Sequence, residues 1–369
     1  MSHVPTPQHT ASDASSKDGA VRREAKSGRT GGRRIGRKIL LGLAVLVVAA
    51  GGTGYWLYSD LDSNIKGIDL DKAIGDDRPA KLPTSGQNIL VLGSDSRAGA
   101  NAALKTGHVS GARSDTALVM HIPEGRKKAV AVSIPRDTLV TRPTCTRADG
   151  TTVPSAQRVM FNSIYSQVGS ACVVKTVEKI TGIRMDHYME IDFAGFKGLV
   201  DAIGGVTVTV DKSIHDSSSG LDLTAGTHRL DGTRSLEFVR TRHGIGDGSD
   251  LGRIGLQQQF MTALLSEIKK QDLLGSPTKT YRIADSLTQA LTTDSDLASL
   301  SALAEFGRSM TGVDPSTMET IMLPVAYDRV DPNRVVAAEP QASTLWKALR
   351  TDSVIPESAK KSPATGGSS

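Results

Sequence analysis

Apolar residues along this chain come in short runs separated by Gly, Pro, Ser and Asp, and the period of each run predicts an element. The first run differs from the rest: Ile39 to Tyr58 passes without a charge. At about 1.5 Å rise per residue, about 20 such residues cross a bilayer core of about 30 Å, which predicts a transmembrane helix. Residues 59–85 are polar with scattered apolar positions and predict a linker or stalk. A folded domain begins near Asn88. Ile89–Leu92 is a continuous apolar run stopped by Gly93, and Ala117–Ile122 and Ala129–Ile134 are two more, the last ended by Pro135; all three predict buried strands. Residues 156–182 predict helix in two pieces, broken near Gly169. Met185 to Phe193 alternates toward a strand, Phe193 to Ile203 has helical spacing closed by Gly204-Gly205, and Val206–Val210 alternates Val and Thr as a strand does. An amphipathic helix over 254–272 precedes two more reaching Met310, a strand at Thr320–Leu323 and a helix at Ala342–Leu349. Interspersed strands and helices predict an α/β fold, a central mixed β-sheet flanked by helices in one α-β-α layered domain over 86–350. Residues 1–38 and 351–369 lack apolar period and predict disordered tails.

Charge assigns the compartment. The 369 residues carry 44 Lys and Arg against 39 Asp and Glu. Residues 1–38 hold nine of the basic and three of the acidic residues, leaving 35 against 36 for the remainder. The basicity belongs to the tail, which argues against nucleic acid as a partner. Arg33, Arg34, Arg37 and Lys38 precede the apolar run, so the tail should stay cytoplasmic and the domain should lie outside the cytoplasmic membrane. Tyr55, Trp56 and Tyr58 suit the outer interface. A signal peptide cleaved after Val48-Ala49-Ala50 is the rival reading; the continuation of the run into aromatic residues favours an uncleaved, single-pass anchor. Outside the cell thiols oxidise, which predicts a disulfide between Cys145 and Cys172, with two buried free thiols as the alternative. Closing that loop of 27 residues contributes about 3–4 kcal/mol in the chain-entropy account.

Common catalytic signatures are missing: the chain has no G-x-S-x-G elbow, H-E-x-x-H pair or P-loop, and its eight His show no ligand spacing. Ser63-Asn64-Ile65-Lys66 and Lys105-Thr106-Gly107 imitate a penicillin-binding site, but no S-D-N lies between them. What stands out is a set of Asp and Arg residues at element ends. Asp95 and Arg97 follow the first strand, Arg113 and Asp115 precede the second, and Arg136 and Asp137 end the third. Arg240-Thr241-Arg242, read as strand, leads to a Gly-rich loop, then Asp250 at a helix N-cap, Arg253, and Gln257 one turn later. Arginine presents a planar fork that matches phosphate oxygens, and several arginines converge only where an anion joins them. Carboxylates among them suit a hard cation such as Mg²⁺ bridging to phosphate. The set describes a metal-assisted pyrophosphate site. Each motif alone is also what a turn with a surface salt bridge produces. Asp192 and Asp201 flank an apolar helix as caps.

Taken in order, these segments resemble the LytR–CpsA–Psr family of cell-envelope proteins. The resemblance covers roughly residues 86–330 and the anchor upstream. It is carried by Asn88 through Arg97, Ala112 through Thr116, Val132 through Asp137, Asp192 through Phe196, Val200 through Val206, Leu230-Asp-Gly232 leading to Val239 through Arg242, and Asp250 through Arg253 with Gln257. It implies a membrane-anchored phosphotransferase that moves a glycopolymer phosphate from a polyprenyl-pyrophosphate carrier to peptidoglycan. By carry-over, Asp95 and Asp115 bind Mg²⁺ (or Mn²⁺). Arg136, Arg240, Arg242 and Arg253 hold the pyrophosphate, with Arg97, Arg113, Asp137, Asp250 and Gln257 in support. The lipid would lie in an apolar groove between sheet and helices. The chain departs from the family at Leu256, where many members carry Arg, and in the Gly/Ala-rich insertion 100–112, expected as a flap over the site. Other readings use the same residues: a polyprenyl-pyrophosphate phosphatase, a carrier-binding protein without turnover, or an envelope-related transcriptional attenuator. The last would rely on a tail that has no helix-turn-helix pattern.

Overall fold

The structure, a computed structural model, describes residues 51–94, 114–125, 128–241, 250–270, 276–310, 312–314 and 317–363. Trp56–Ser369 forms one compact unit. Its centre is a seven-stranded mixed sheet made of β1 (Lys66–Ile68), β14 (Leu291–Asp294), β9 (His187–Asp192), β2 (Gln87–Ser94), β3 (Ser114–Ile122), β4 (Val130–Ile134) and β15 (Glu319–Met322), in that spatial order. β2, β9, β4 and β15 run one way; β3, β14 and β1 run the other. Helices cover both faces, which is why the central strands are continuously apolar instead of alternating.

The first face packs Leu90, Leu92, Val119, Val132, Ile134 and Tyr188 against α3 (Phe161–Gln167), α4 (Ser170–Thr181) and α10 (Gln341–Arg350). On the second face Ile89, Val91, Met120 and Met189 meet Phe306 of α9 (Leu300–Ser309) and Met310, most of them only half-buried. A separate core joins α5 (Phe193–Ile203), α6 (Gly232–Arg240) and α7 (Asp250–Lys269) to the ribbon of β10 (Val206–Val210) and β13 (Gly226–Leu230). α8 (Pro277–Ala290) packs on α5 so closely that a Cβ at Gly195 would lie 2.0 Å from Ala290 Cβ. Short ribbons complete the fold: β5 (Leu139–Arg142) with β8 (Ala156–Met160), β6 (Cys145–Thr146) with β7 (Thr152–Val153), β11 (Ile214–Asp216) with β12 (Leu221–Leu223), and β16 (Val325–Tyr327) with β17 (Val335–Ala337). Cys145 on β6 is bonded to Cys172 on α4, with Cα atoms 5.6 Å apart, tying the ribbons to the first-face helices.

Four expectations are corrected. Residues 59–85 are part of the fold. A helix, α1, runs through residues 51–64, beyond the point where the apolar run ends. Asp60 accepts from Tyr281 Oη at 2.9 Å, and Asp62 accepts from Leu300 N at 2.7 Å, capping α9. β1 then adds an edge strand, and α2 (Leu70–Ile74) follows. Arg78 is buried against Glu178 at 2.6 Å, and its partner also accepts from Met185 N, so neither charge is left unpaired. The pattern hid this because the strand has only three residues. Residues 156–160 are strand, not helix. Arg240 ends a helix, not a strand, because Asp231 caps Arg234 N and opens a helical turn. Part of the tail after 350 is packed: Ile355 and Ala359 are buried and Ser362 Oγ bonds to Val325. The anchor expected over 39–58 lies mostly outside the described residues; among these, no helix is long and apolar enough to cross a membrane. Tyr55, Trp56 and Tyr58 are exposed on α1.

Candidate functional site

Strand direction gathers the predicted chemistry at one end of the sheet. β2, β4 and β9 finish there, at Ser94, Ile134 and Asp192, and β3 begins there. Gly93 pairs with Thr116 but Ser94 pairs with Ser114, so Asp115 is the extra residue of a β-bulge. Bulges bend a strand and re-aim a side chain, and they recur beside active sites. The Ser94 hydroxyl, wholly buried, has no hydrogen-bond partner among the described residues.

The turn after β4 is held from several sides. Pro135 O accepts from Thr138 N at 3.0 Å and from its hydroxyl at 2.6 Å. Arg136 O accepts from Asn162 N at 3.0 Å, and Asp137 O accepts from Val335 N at 3.5 Å. Asp137 takes a bond from Arg136 Nε at 3.3 Å and faces Arg334 Nη1 at 3.5 Å. Arg136, Asp137 and Arg334, with Met160, Asn162, Ser163 and Ser166, line a cavity of about 410 Å³ beside α3.

Arg240 reaches the same end from α6. That helix is fixed at its start: Asp231 caps it, and Asp201 on α5 accepts from Gly232 N at 2.7 Å. Asp201 thus serves the neighbouring helix, whereas Asp192 caps α5, accepting from Gly195 N at 2.7 Å. At the other end, Thr241 is buried and bonded to Glu237 O and Ser219 Oγ. The Arg240 guanidinium carbon lies 5.5 Å from the centre of the Phe193 ring, the first residue of α5. Cation–π contact and the helix C-terminus both favour its charge. Gln257 Nε2 donates to Val239 O at 2.9 Å, and Gln258 Nε2 to Ser133 Oγ at 3.3 Å. The first turns of α7 are therefore stitched to the end of α6 and to the end of β4.

Thus Arg136, Asp137, Arg240 and Gln257 are placed at one sheet end. Asp115, Asp250 and Arg253 have their backbone in β3 and in the first turn of α7; their side chains lie outside what is described. Asp95, Arg97, Arg113, Arg242 and the insertion 100–112 fall outside the described residues. Leu256 is buried in the helical core, which accounts for an apolar residue there. Among the described residues no three His, Cys, Asp or Glu side chains form a metal cluster. The buried Ser94 hydroxyl at this end is a hard oxygen of the kind Mg²⁺ takes.

Sequence reasoning missed Arg334. Its loop, Asp328 through Arg334, reads as a turn around Asp331-Pro332-Asn333 with no apolar period. The loop is ordered by Arg158, whose Nη1 and Nη2 bond to Asp328 at 3.0 and 2.7 Å, although Arg158 itself sits at φ 55°. That guanidinium, then the Asp331 and Val330 N–H groups, hold the Asp328 carboxyl far below the usual carboxylate range.

A family model described as the LytR_cpsA_psr family matches residues 57–351. The cell wall biosynthesis protein LcpA of Corynebacterium glutamicum is 29% identical over 73% of this chain and 56% of its own length, so the chain spans little more than half of that relative. The polyisoprenyl-teichoic acid–peptidoglycan teichoic acid transferase TagT of Bacillus subtilis is 30% identical over 75% of this chain and 83% of its own. Among solved structures, a LytR-Csp2A-Psr enzyme from Actinomyces oris superposes with a TM-score of 0.57 at 24% identity, over 77% of this chain and 95% of its own, a likeness of fold.

Proposed function

Because the chain belongs to the LytR_cpsA_psr family, we propose that it is a cell-envelope phosphotransferase, moving a glycopolymer phosphate from a polyprenyl-pyrophosphate carrier to a peptidoglycan hydroxyl. One observation carries the reading. Two guanidinium groups on separate elements, Arg136 after β4 and Arg240 at the end of α6, are fixed at the sheet end where β3 starts with the Asp115 bulge. Two planar forks brought to one place match the oxygens of a pyrophosphate.

In the reaction the acceptor hydroxyl oxygen forms a new P–O bond to the sugar-linked phosphorus. The bond from that phosphorus to the polyprenyl phosphate breaks, and the hydroxyl proton leaves with the released monophosphate. Arg136 and Arg240 hold the phosphate oxygens and neutralise charge as it moves to the leaving group. Arg242 and Arg253 join them in this proposal, with Arg97, Arg113, Asp250 and Gln257 in support. Asp137 keeps the Arg136 guanidinium oriented. Asp95 and Asp115 would hold Mg²⁺ or Mn²⁺, which supplies further charge neutralisation. The protein would act outside the cytoplasmic membrane, anchored through 39–58, with no nucleic acid partner.

The metal assignment is tested by titrating Mg²⁺ into EDTA-stripped protein while following loss of the pyrophosphate bond. Wild type should regain turnover with Mg²⁺, and Asp115→Ala should not. An Asp115→Ala variant with unchanged metal response contradicts the assignment.

A further inference from the structure

Arg158 occupies a backbone position that suits glycine. On β5, Val140 and Arg142 are two residues apart, whereas their partners on β8, Val159 and Ala156, are three apart, so β8 carries a bulge at Gln157 and Arg158. Arg158 sits there at φ 55°, the left-handed conformation that glycine adopts without penalty and that bulges ordinarily give to it. Any other residue keeps such a conformation only where its surroundings hold it, and such residues cluster beside active sites. What holds Arg158 is Asp328, 170 residues further on. Bonds of 3.0 and 2.7 Å join the two ends of the guanidinium to the two carboxylate oxygens, the bidentate form that fixes direction as well as distance. The Asp328 side chain is buried, and it also accepts from Val330 N at 3.0 Å and Asp331 N at 2.8 Å.

Each partner of this pair leads to one side of the Arg136–Asp137 turn. Two residues after Arg158, β8 ends at Met160. Phe161 N then donates to Thr138 O at 2.9 Å, and Asn162 N to Arg136 O at 3.0 Å. On the other side, Asp328 N donates to Arg334 O at 2.9 Å, which returns the chain to Val335, whose N donates to Asp137 O at 3.5 Å. Arg334 Nη1 also stands 3.5 Å from Asp137 Oδ1. These last two contacts are longer than the about 2.7–3.2 Å of a firm bond, so they depend on where the loop is held.

We propose that the Arg158–Asp328 pair is a positioning clasp for phosphotransfer: it closes the β8–α3 segment and the β16–β17 loop on the turn between them, and so sets the direction of the Arg136 guanidinium without touching substrate. The proposal rests on the phosphotransferase reading and adds two residues on which the reaction depends at a distance. Arg136 lies between the two jaws, its backbone O held by α3 and its Nε bonded to Asp137, which faces the loop. Opening the clasp frees the loop, and Asp137 then loses the contacts that orient it. A displacement of about 1 Å at a group that holds the reacting phosphate costs about 100-fold in rate. Glycine at 158 would relax the backbone and lose the joint, which accounts for arginine there.

The test is ¹⁵N NMR of the full chain in detergent micelles, following water exchange of the Arg136 Nε–H proton, whose signal is identified by its loss in Arg136→Lys. Arg158→Gly is the informative variant, because it removes the guanidinium while relieving the left-handed backbone. It should speed exchange at Arg136 by about tenfold or more, the scale of one charged hydrogen bond. The Val119 amide, at the centre of the sheet, should stay as protected as in wild type. Asp328→Asn should act alike, and Arg158→Lys, which keeps the charge without the fork, should fall between. In transfer assays Arg158→Gly should lower kcat by about 10- to 100-fold and leave KM for the carrier nearly unchanged. Unchanged exchange at Arg136 in Arg158→Gly, or an equal loss of protection at Arg136 and Val119, overturns the clasp: the first shows no coupling, the second only a general loss of stability. Should Arg158→Gly fail to fold, Arg158→Lys carries the same comparison. The NMR measurement needs no lipid donor. Absence of transfer in every protein would therefore remove the phosphotransferase reading and leave the coupling standing, whereas full-rate transfer by Arg158→Gly would remove the clasp alone.

Discussion

Arg136 and Arg240 illustrate two ways of fixing a guanidinium. Arg136 rides on a turn whose backbone is bonded to α3 and β17, and its Nε is occupied by Asp137. Arg240 rests on an aromatic ring, at the end of a helix bonded at its start to α5. Both stand at the sheet end where the phosphate is proposed to lie. Loss of one such charged contact, in Arg136→Ala or Arg240→Ala, should lower kcat/KM for transfer by about 10- to 200-fold, from about 1.5–3 kcal/mol per contact. Arg136→Lys should also lose most of this rate, because an ammonium cannot present two parallel donors; steady-state kinetics at full rate for the Lys variant would contradict the fork. Both residues were legible in the sequence from their place after Pro135 and before the Gly-rich loop. Arg334 was not, since its approach to Asp137 depends on a hairpin that pairs residues far along the chain.

At the scale of elements, the site depends on α5 and α6 meeting without a side chain between them. A Cβ on Gly232 would lie 2.3 Å from Lys197 O and 2.9 Å from Asp201 Oδ2. Gly232→Ala should therefore push α6 away from α5, lowering stability by about 1–3 kcal/mol, the usual cost of overpacking, and lowering transfer with it. Urea denaturation alongside the kinetics reads both. The central strands and long helices were legible because buried strands are continuously apolar and helices keep a steady period. β1, β8 and the end of α6 were not. The first is three residues long, the second, Ala-Gln-Arg-Val-Met, has no strict alternation and pairs with β5 alone among the described strands, and the third is decided by the Asp231 cap and by α5, not by its own pattern.

For the whole molecule, the Cys145–Cys172 bond closes 27 residues and joins the β5–β8 ribbons to α4. Reduction should lower the melting temperature, with about 3–4 kcal/mol lost in the chain-entropy account; an unchanged melting curve in dithiothreitol contradicts that role. Acid should act through Asp328. Its folded-state carboxyl is held well below its unfolded value by Arg158, so its stabilising contribution is intact above about pH 4 and is lost as pH falls below that. Melting followed from pH 5 to 3 should fall less steeply for Asp328→Asn than for wild type. The folded core from Asn88 onward was legible from hydropathy, while the inclusion of residues 59–85 and of the stretch near Ser362 depended on long-range contacts such as Asp62 with Leu300 and Ser362 with Val325. The most direct test of the account incubates the full chain in micelles with a polyprenyl-pyrophosphate oligosaccharide, Mg²⁺ and peptidoglycan fragments, read by mass spectrometry. The account predicts a phosphodiester-linked adduct that disappears with EDTA and with Arg240→Ala. Release of sugar phosphate or polyprenyl phosphate without any adduct, or an adduct that persists in Arg240→Ala, would contradict it.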